Sequence, residues 1–309
     1  MMSRAVMFSA FGPATQVFDV LEVPEPHASA GQVRVRVKAA GLNPVDWKIA
    51  LYPPVAAAYH LADLPSGNGN DFSGVIDEVG EGVTRWSVGD EVYGGRRFYA
   101  QADYLIADPD ILVAKPAGLG WEQAGALDIV GRTAWAEVAS QNLTAADTVL
   151  VTAAAGGVGV LAVQLARRAG ATVIGTASRE NHAYLRSLGA TPVLYGDGLV
   201  KRVRALAPNG VTVVLDHHGA ASIQAGLDLG VDPSRINTIA DRPFAAQHGV
   251  ATVGGAAAGR AELAELGQLI AAGDVDFPIE ARYPLEQVRE AYARLQSGHL
   301  RGKIVLVTE

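Results

Sequence analysis

The chain of 309 residues contains no cysteine and carries a formal net charge of −7 at pH 7. Without cysteine it has no disulfide, no iron–sulfur cluster, no cysteine-ligated zinc and no thiol nucleophile. The acidity removes the overall attraction to nucleic acid, and 49% hydrophobic with 18% charged residues indicates a globular chain, whose length corresponds to about two domains.

The pattern of apolar residues does not predict a membrane segment. The longest nearly uncharged run, 148–166, is interrupted by Thr152 and Gln164, whereas a spanning helix needs about 20 predominantly apolar residues. The N-terminus lacks the sustained apolar stretch and the small-residue cleavage site of a signal peptide. We therefore expect a cytoplasmic protein.

The first third of the chain is predicted to be β-rich. Residues 32–38 alternate apolar and charged side chains, as a half-buried strand does. Further short strands are predicted at 74–80, 90–94 and 103–107. Glycine and proline separate them at short intervals, which favours a small antiparallel barrel.

The middle of the chain alternates between strands and helices. A helix is predicted from about Trp121 to Ala139. Beyond it, strands are predicted at 148–152, 172–177, 211–216, 235–240 and 250–253, with helices at 158–169 and 181–188. This alternation is typical of a doubly wound parallel sheet, so the fold class is α/β.

The tail is predicted to contain one helix and one strand. The helix would begin at Pro284 and end before Gly298. Its apolar face would consist of Leu285, Val288, Ala291, Tyr292 and Leu295. A final strand at 303–307 comes too late to belong to the middle sheet, and we expect it to return to the first domain.

A glycine-rich turn follows the strand at 148–152. Aligned on the dinucleotide-binding fingerprint, glycines fall at Gly156 and Gly159, with Ala154 in place of the first one. Small residues there let the backbone approach a pyrophosphate, and the helix N-terminus offers free amides. The expected cofactor contacts are Ala155, Gly156, Gly157, Val158 and Gly159. The alternative is an ordinary tight turn between strand and helix.

The end of the next strand predicts which dinucleotide binds. NAD sites place an acidic residue there to bind the ribose hydroxyl, but this chain has Ser178 and Arg179. A hydroxyl beside a guanidinium accepts a 2′-phosphate, which a carboxylate would repel. We therefore expect NADPH, although Glu180 could compete, and Ser178 could also cap a helix.

Several motifs in order along the chain resemble those of the medium-chain dehydrogenase/reductase superfamily. Within it, the chain is most similar to the zinc-independent quinone oxidoreductase (zeta-crystallin-like) branch. The motifs are AGLNPVDWK at 40–48, GNDFSG at 69–74, GDEVYG at 89–94, GRTA at 131–134, AGGVG at 155–159 and RGKIVL at 301–306.

The resemblance implies two domains with the active site in the cleft between them. A GroES-like β-barrel domain would comprise residues 1–119, completed by 262–309. A Rossmann dinucleotide-binding domain would comprise residues 120–261. The resemblance also implies a homodimer in which the strand at 250–253 pairs with its copy.

The resemblance also indicates whether a catalytic zinc can bind. Metal-dependent relatives hold a catalytic zinc with a Cys, a His and a second Cys, and the matching positions here are Asn43, Asn70 and Ile129. An isoleucine cannot bind zinc, and neutral amides are poor replacements for thiolate and imidazole. We therefore expect no metal, and a zinc alcohol dehydrogenase is nearly excluded.

Further site residues follow from matched positions in the family. Tyr52 is expected to contact cofactor or substrate and could be the acid, because a phenol is protonated at pH 7; alternatively it is an ordinary loop tyrosine. Asn43 is carried over as a catalytic and cofactor contact, or as a turn-forming residue. Thr133 is a further expected contact, unless its hydroxyl bonds its own helix.

Tyr195 matches a family position that often lines the 2′-phosphate pocket, and Asn181 stands where some relatives have a lysine. We expect both, and also Asp241, to contact the cofactor. His217 and His218 depart from the family pattern at the end of a strand. One of them could face the cofactor, or both could be structural or exposed.

The expected function is a zinc-independent, NADPH-dependent reductase that transfers hydride to a quinone or an α,β-unsaturated carbonyl. One alternative is an enoyl-thioester or biosynthetic enone reductase. Another is a cofactor-binding protein with little turnover. No nucleic acid or membrane partner is expected.

Overall fold

The computed structural model describes residues 1–308. The strands are β1 Met2–Phe8, β2 Asp19–Pro24, β3 Val33–Gly41, β4 Ser66–Gly67, β5 Asp71–Val79, β6 Glu91–Gly95, β7 Tyr104–Ala107, β8 Leu112–Ala114, β9 Thr148–Val151, β10 Thr172–Thr176, β11 Thr191–Val193, β12 Val213–Asp216, β13 Ile236–Thr238, β14 Ile279–Pro284 and β15 Lys303–Val307. The helices are α1 Ala14–Val17, α2 Pro44–Leu51, α3 Pro53–Ala58, α4 Trp121–Gly125, α5 Asp128–Ser140, α6 Gly157–Arg168, α7 His182–Ser187, α8 Leu199–Leu206, α9 Ala220–Asp228, α10 Arg242–His248, α11 Arg260–Ala271 and α12 Val288–Gln296.

The middle of the chain forms a parallel sheet with the strand order β11-β10-β9-β12-β13. All four residues of β12 are buried, as expected of a strand that helices cover on both faces. The predicted doubly wound α/β fold is confirmed.

The N-terminal part forms a mainly antiparallel sheet with the order β14-β15-β3-β5-β6-β8, and β7 pairs with β3 beside it. A smaller sheet of β2, β1 and β4 lies alongside. The last strand, β15, pairs antiparallel with β3, so the C-terminus returns to the first sheet as the sequence suggested. This is the GroES-like arrangement.

The helix predicted from Trp121 to Ala139 is wrong as a single element, because it divides into α4 and α5. The break at Ala126 and Leu127 lies where the chain presses against β3: a Cβ on Gly125 would lie 2.5 Å from the carbonyl oxygen of Ala39. The second helix, α5, begins at Asp128. The Asp71 carboxylate of β5 stabilises its first turn by accepting the main-chain amide of Ile129 at 3.1 Å.

The strand predicted at 250–253 is also wrong. Only Ala251 forms an isolated bridge, to Asn237 of the edge strand β13. The side chain of Asn237 bonds both main-chain groups of Val253, at 3.0 and 2.6 Å, and so replaces a regular ladder. Pairing of this segment with a second copy stays a prediction.

The tail helix has the predicted buried face but a different start. Pro284 ends β14, a 3-10 turn covers Leu285–Gln287, and the α-helix begins at Val288. Leu285, Val288, Ala291 and Tyr292 are buried. No helix within residues 1–308 has the length and apolar character needed to cross a membrane.

Helix α11 packs closely on the first sheet at Gly267. A Cβ there would lie 2.2 Å from the hydroxyl oxygen of Tyr93, a buried side chain that donates to the Leu263 carbonyl at 3.0 Å.

We expect Gly267→Ala to lower the free energy of unfolding in urea by about 1–3 kcal/mol, because overpacking forces a shift. Gln268→Ala, on the exposed face of the same helix, should change it by less than about 0.5 kcal/mol. Equal effects would contradict the assigned packing.

Candidate cofactor site and active-site cleft

The glycine-rich turn after β9 has the geometry of an anion site. A Cβ on Gly159 would lie 2.4 Å from the carbonyl oxygen of Ala153, so only glycine fits there. Helix α6 begins at Gly157 without a side-chain cap, and its first amides are therefore available to an anion. Of the predicted contacts, Gly156, Gly157 and Val158 are partly exposed, whereas Ala155 and Gly159 are buried. These features fit a dinucleotide pyrophosphate.

The end of β10 carries no acidic side chain. Ser178 is half-buried and precedes a 3-10 turn at Arg179–Asn181, so it occupies the capping position without a side-chain cap bond. The Asn181 amide lies 3.5 Å from the Ser178 hydroxyl. Arg179 and Glu180 are both exposed. The predicted 2′-phosphate residues thus lie together at this edge of the sheet.

The C-terminal segment adds two side chains, those of Arg301 and His299, that no local sequence pattern pointed to. The Arg301 guanidinium donates to the Asn181 carbonyl oxygen at 2.9 Å and lies over the ring of Tyr184. His299 lies 3.3 Å from the hydroxyl of Tyr195, with the two rings stacked. The motif at 301–306 was recognised, but nothing in it shows which loop of the parallel sheet it contacts.

Arg301, Gly302 and Lys303 contact three separate parts of the chain. The Gly302 amide donates to the Ala155 carbonyl at 2.8 Å, and Gly302 bridges to Gly156 in the glycine turn. The Lys303 side chain continues toward the first sheet, where its ammonium donates to Asn43. Three consecutive residues therefore contact Asn181 after β10, the glycine turn, and Asn43 before α2.

The three positions matched to zinc ligands converge on Asp71. Its carboxylate accepts from the Asn43 amide at 3.0 Å, from the Asn70 amide at 2.9 Å and from the Ile129 main chain at 3.1 Å. Lys303 Nζ lies 3.8 Å from the same carboxylate and donates to Leu42 O and Asn43 Oδ1, both at 2.6 Å. Burial lowers the pKa of Lys303, and Asp71 and Asp46 partly offset that effect.

Two further buried carboxyl groups adjoin this ion pair. Asp46, in the first turn of α2, accepts from the main-chain N–H of Asn43 at 2.8 Å and from the Tyr292 hydroxyl at 3.2 Å. Burial raises the pKa of Asp46 to about 7. Burial, and next the charge of Asp71, raise the pKa of Asp128 to about 6. These residues thus form a dense buried polar network.

These residues do not fit a zinc centre. Both asparagine amides donate their N–H groups to Asp71, Asn43 also accepts from Lys303, and Ile129 has no side-chain donor atom. Among residues 1–308 no group of three or more His, Cys, Asp or Glu side chains is arranged to hold a metal ion. Zinc prefers thiolate and imidazole ligands, and the matched positions provide neither.

The three residues predicted at the nicotinamide end differ in whether their polar groups are free to contact a ligand. Asn43 is buried, and its side-chain amide donates to Asp71 and accepts from Lys303. The Thr133 hydroxyl donates to the Ile129 carbonyl of its own helix at 2.6 Å. Tyr52 lies between α2 and α3, is 48% exposed, and its hydroxyl bonds nothing in the part of the chain that the structure describes. Only Tyr52 therefore presents a free polar group.

The polar residues after β12 and β13 are mostly engaged. His217 lies 2.7 Å from the buried Glu137 carboxylate and 2.9 Å from the Thr152 carbonyl. Burial by itself would lower the pKa of His217, but Glu137 outweighs it and the pKa rises. His218 is exposed. Asp241 caps α10 by accepting the Phe244 amide at 3.0 Å.

Comparison with known proteins gives two family matches. Residues 29–127 match the model of the alcohol dehydrogenase GroES-like domain, and residues 188–306 match that of the zinc-binding dehydrogenase. The chain is 29% identical to a quinone oxidoreductase of Pseudomonas aeruginosa, over 99% of this chain and 100% of that one.

Solved structures agree with these matches. A quinone oxidoreductase from Coxiella burnetii superimposes with a TM-score of 0.87 at 30% identity, over the whole of both chains. A cobalt- and zinc-bound alcohol dehydrogenase from Pyrobaculum aerophilum superimposes with a TM-score of 0.84 at 26% identity, again over both whole chains. The same fold therefore occurs in a quinone oxidoreductase and in a metal-bound alcohol dehydrogenase.

The buried Asp46 should make folding stability depend on pH. Its pKa is raised by burial, so the folded state keeps a proton that the unfolded chain loses above about pH 4. Wild-type stability should consequently fall, relative to Asp46→Asn, as the pH rises from 4 to 7. The asparagine carbonyl can still accept both hydrogen bonds.

We expect a difference of about 2–4 kcal/mol at pH 7 in urea unfolding, with the two proteins nearly equal at pH 4. A difference that does not change between these pH values would contradict the assigned pKa.

Proposed function

Because the chain belongs to the medium-chain dehydrogenase/reductase superfamily, we propose that it is a reductase that transfers hydride from NADPH to a quinone or an α,β-unsaturated carbonyl without zinc. The proposal includes a GroES-like domain of residues 1–119 with 262–309, and a dinucleotide-binding domain of residues 120–261. The likeness to the Coxiella and Pseudomonas quinone oxidoreductases over the full chain supports this class of reaction.

One observation supports the proposal above all others. The residues at the positions matched to zinc ligands form hydrogen bonds to a buried ion pair inside the protein. Asn43, Asn70 and Ile129 all bond Asp71. A metal-dependent alcohol oxidation needs ligands that these residues do not offer. The remaining cleft suits a reaction in which hydrogen bonds polarise the acceptor.

The choice of NADPH is supported by charge at the adenosine end. The carboxylate that binds the ribose of NAD is replaced by Ser178, and Arg179 and Arg301 lie close to it in the fold. Guanidinium groups bind phosphate through paired hydrogen bonds. Asn181 holds Arg301 in place, and Tyr195 with His299 flanks the site.

At the reacting end, the bound nicotinamide supplies the hydride. Negative charge that develops on the acceptor oxygen then requires a donor. The exposed phenol of Tyr52 is suited to that role, because its proton is not given to another group of the described chain. Asn43 would act indirectly, by holding the start of α2 that leads to Tyr52.

The proposal is tested by the oxidation of NADPH and NADH, followed at 340 nm, against a panel of quinones, enones and enoyl thioesters, with and without a chelator. We expect turnover of quinones or enones with NADPH that the chelator leaves unchanged. Preference for enoyl thioesters would favour a biosynthetic reductase. Tight NADPH binding without turnover of any acceptor would favour a binding protein, and loss of activity with chelator would restore a metal mechanism.

The cofactor preference is tested by the double substitution Ser178→Ala and Arg179→Ala. Loss of a hydroxyl and a guanidinium that face the 2′-phosphate should raise the NADPH KM at least tenfold, or about 1.4 kcal/mol of binding. The NADH KM should stay within about twofold. Arg186→Ala, at an exposed arginine of the following helix α7, is the matched control. An equal loss with both cofactors would overturn this assignment.

A further inference from the structure

Lys303 connects the cofactor turn to the acceptor side of the cleft. Its side chain is buried, with 4% exposed. Its methylene chain packs on the start of α6, where a Cβ on Gly157 would lie 2.8 Å from Lys303 Cδ. Its ammonium donates to Leu42 and Asn43, the two residues before α2. One side chain thus contacts both the turn that would hold the pyrophosphate and the start of the segment that ends at Tyr52.

Asp71 completes this connection. An ammonium only donates and a carboxylate only accepts, so the Asn43 amide is held in one orientation, with Oδ1 toward Lys303 and Nδ2 toward Asp71. Asp71 also accepts the Ile129 amide in the first turn of α5. The ion pair therefore contacts the starts of three helices, α2, α5 and α6.

Stability by itself does not explain an ion pair at this place. Replacing a buried pair by apolar side chains of similar volume is often neutral or stabilising. What the pair adds here is geometry, because charge-assisted hydrogen bonds are short and directional. The distances of 2.6 Å from Lys303 to both acceptors are of this kind.

We propose that Lys303 is a positioning residue for hydride transfer. Through Asn43, and with Asp71 as its counter-charge, it fixes the segment from Pro44 to Tyr52 relative to the cofactor turn. This inference rests on the proposed function for its catalytic consequence. Its structural content, a coupling between the cofactor turn and α2, does not depend on turnover.

The test is the double variant Lys303→Met with Asp71→Asn. Methionine keeps the packing on Gly157, and removing both charges avoids an uncompensated buried carboxylate, which is strongly destabilising. Asn43 is then free to turn its amide over toward the new asparagine. The double variant should therefore fold with a melting temperature near that of the wild type while losing the fixed orientation.

The direct readout is hydrogen exchange measured by mass spectrometry, with and without NADP⁺. In the wild type, NADP⁺ should slow exchange at 156–160 and also at 42–52. In the double variant, protection at 156–160 and the NADP⁺ Kd should stay within about threefold of wild type, while protection at 42–52 is lost. Preserved protection at 42–52 would overturn the proposal.

Kinetics give the second readout. With an acceptor from the panel, the double variant should lose at least tenfold in kcat, with the NADPH KM within about threefold of wild type. If the role of Lys303 were purely structural, a double variant that melts near the wild-type temperature would have a kcat within twofold of the wild type. That result would overturn the proposal. Lys201→Met, at an exposed lysine of α8, is the matched control and should resemble the wild type.

The two proposals fail in different ways. A wild type that protects 42–52 on binding NADP⁺ but reduces no acceptor contradicts the proposed function and leaves the coupling supported. A wild type that does not bind NADP⁺ overturns both. Should the double variant fail to fold, Asn43→Ala removes the amide bridge and keeps the ion pair; unchanged protection at 42–52 in that variant would overturn the coupling.

Discussion

The buried ion pair between Lys303 and Asp71 is the interaction on which the geometry of the cleft depends. Removing two charges from water costs several kcal/mol per ion, so such a pair persists only with further hydrogen bonds. Here those bonds come from residues at the ends of elements: Leu42 and Asn43 before α2, and Ile129 at the start of α5. These buried contacts therefore fix the positions of the starts of α2 and α5.

The same pair accounts for the departure from metal-dependent relatives. In this chain the positions matched to zinc ligands bond a carboxylate, and a lysine ammonium lies within 3.8 Å of that carboxylate. The backbone is close to that of a metal-bound alcohol dehydrogenase. A similar backbone does not by itself indicate a metal site in this chain, so function has to be argued from side chains rather than from architecture.

The sequence predicted the glycine turn and four of the five parallel strands, because both depend on local patterns: a short apolar strand, small residues and an apolar helix in succession. It did not predict the three-residue strand β11. It failed at Ala126, where tight packing of Gly125 on β3 divides one helix into two. It also failed at 250–253, where a single asparagine side chain, Asn237, takes over the hydrogen bonds of a strand. Both failures have causes distant in the chain.

By itself the sequence determined the α/β fold class, the dinucleotide turn and the absence of cysteine ligands, since these are properties of residue type and near-neighbour spacing. Only the tertiary structure decided which contacts occupy the positions matched to those ligands and which side chains lie beside Asn181. Lys303 meets Asn43 across 260 residues, and Arg301 meets Asn181 across 120. No local pattern encodes such contacts, because they arise only when β15 pairs with β3 and brings Lys303, with the residues just before it, against the glycine turn and Asn181.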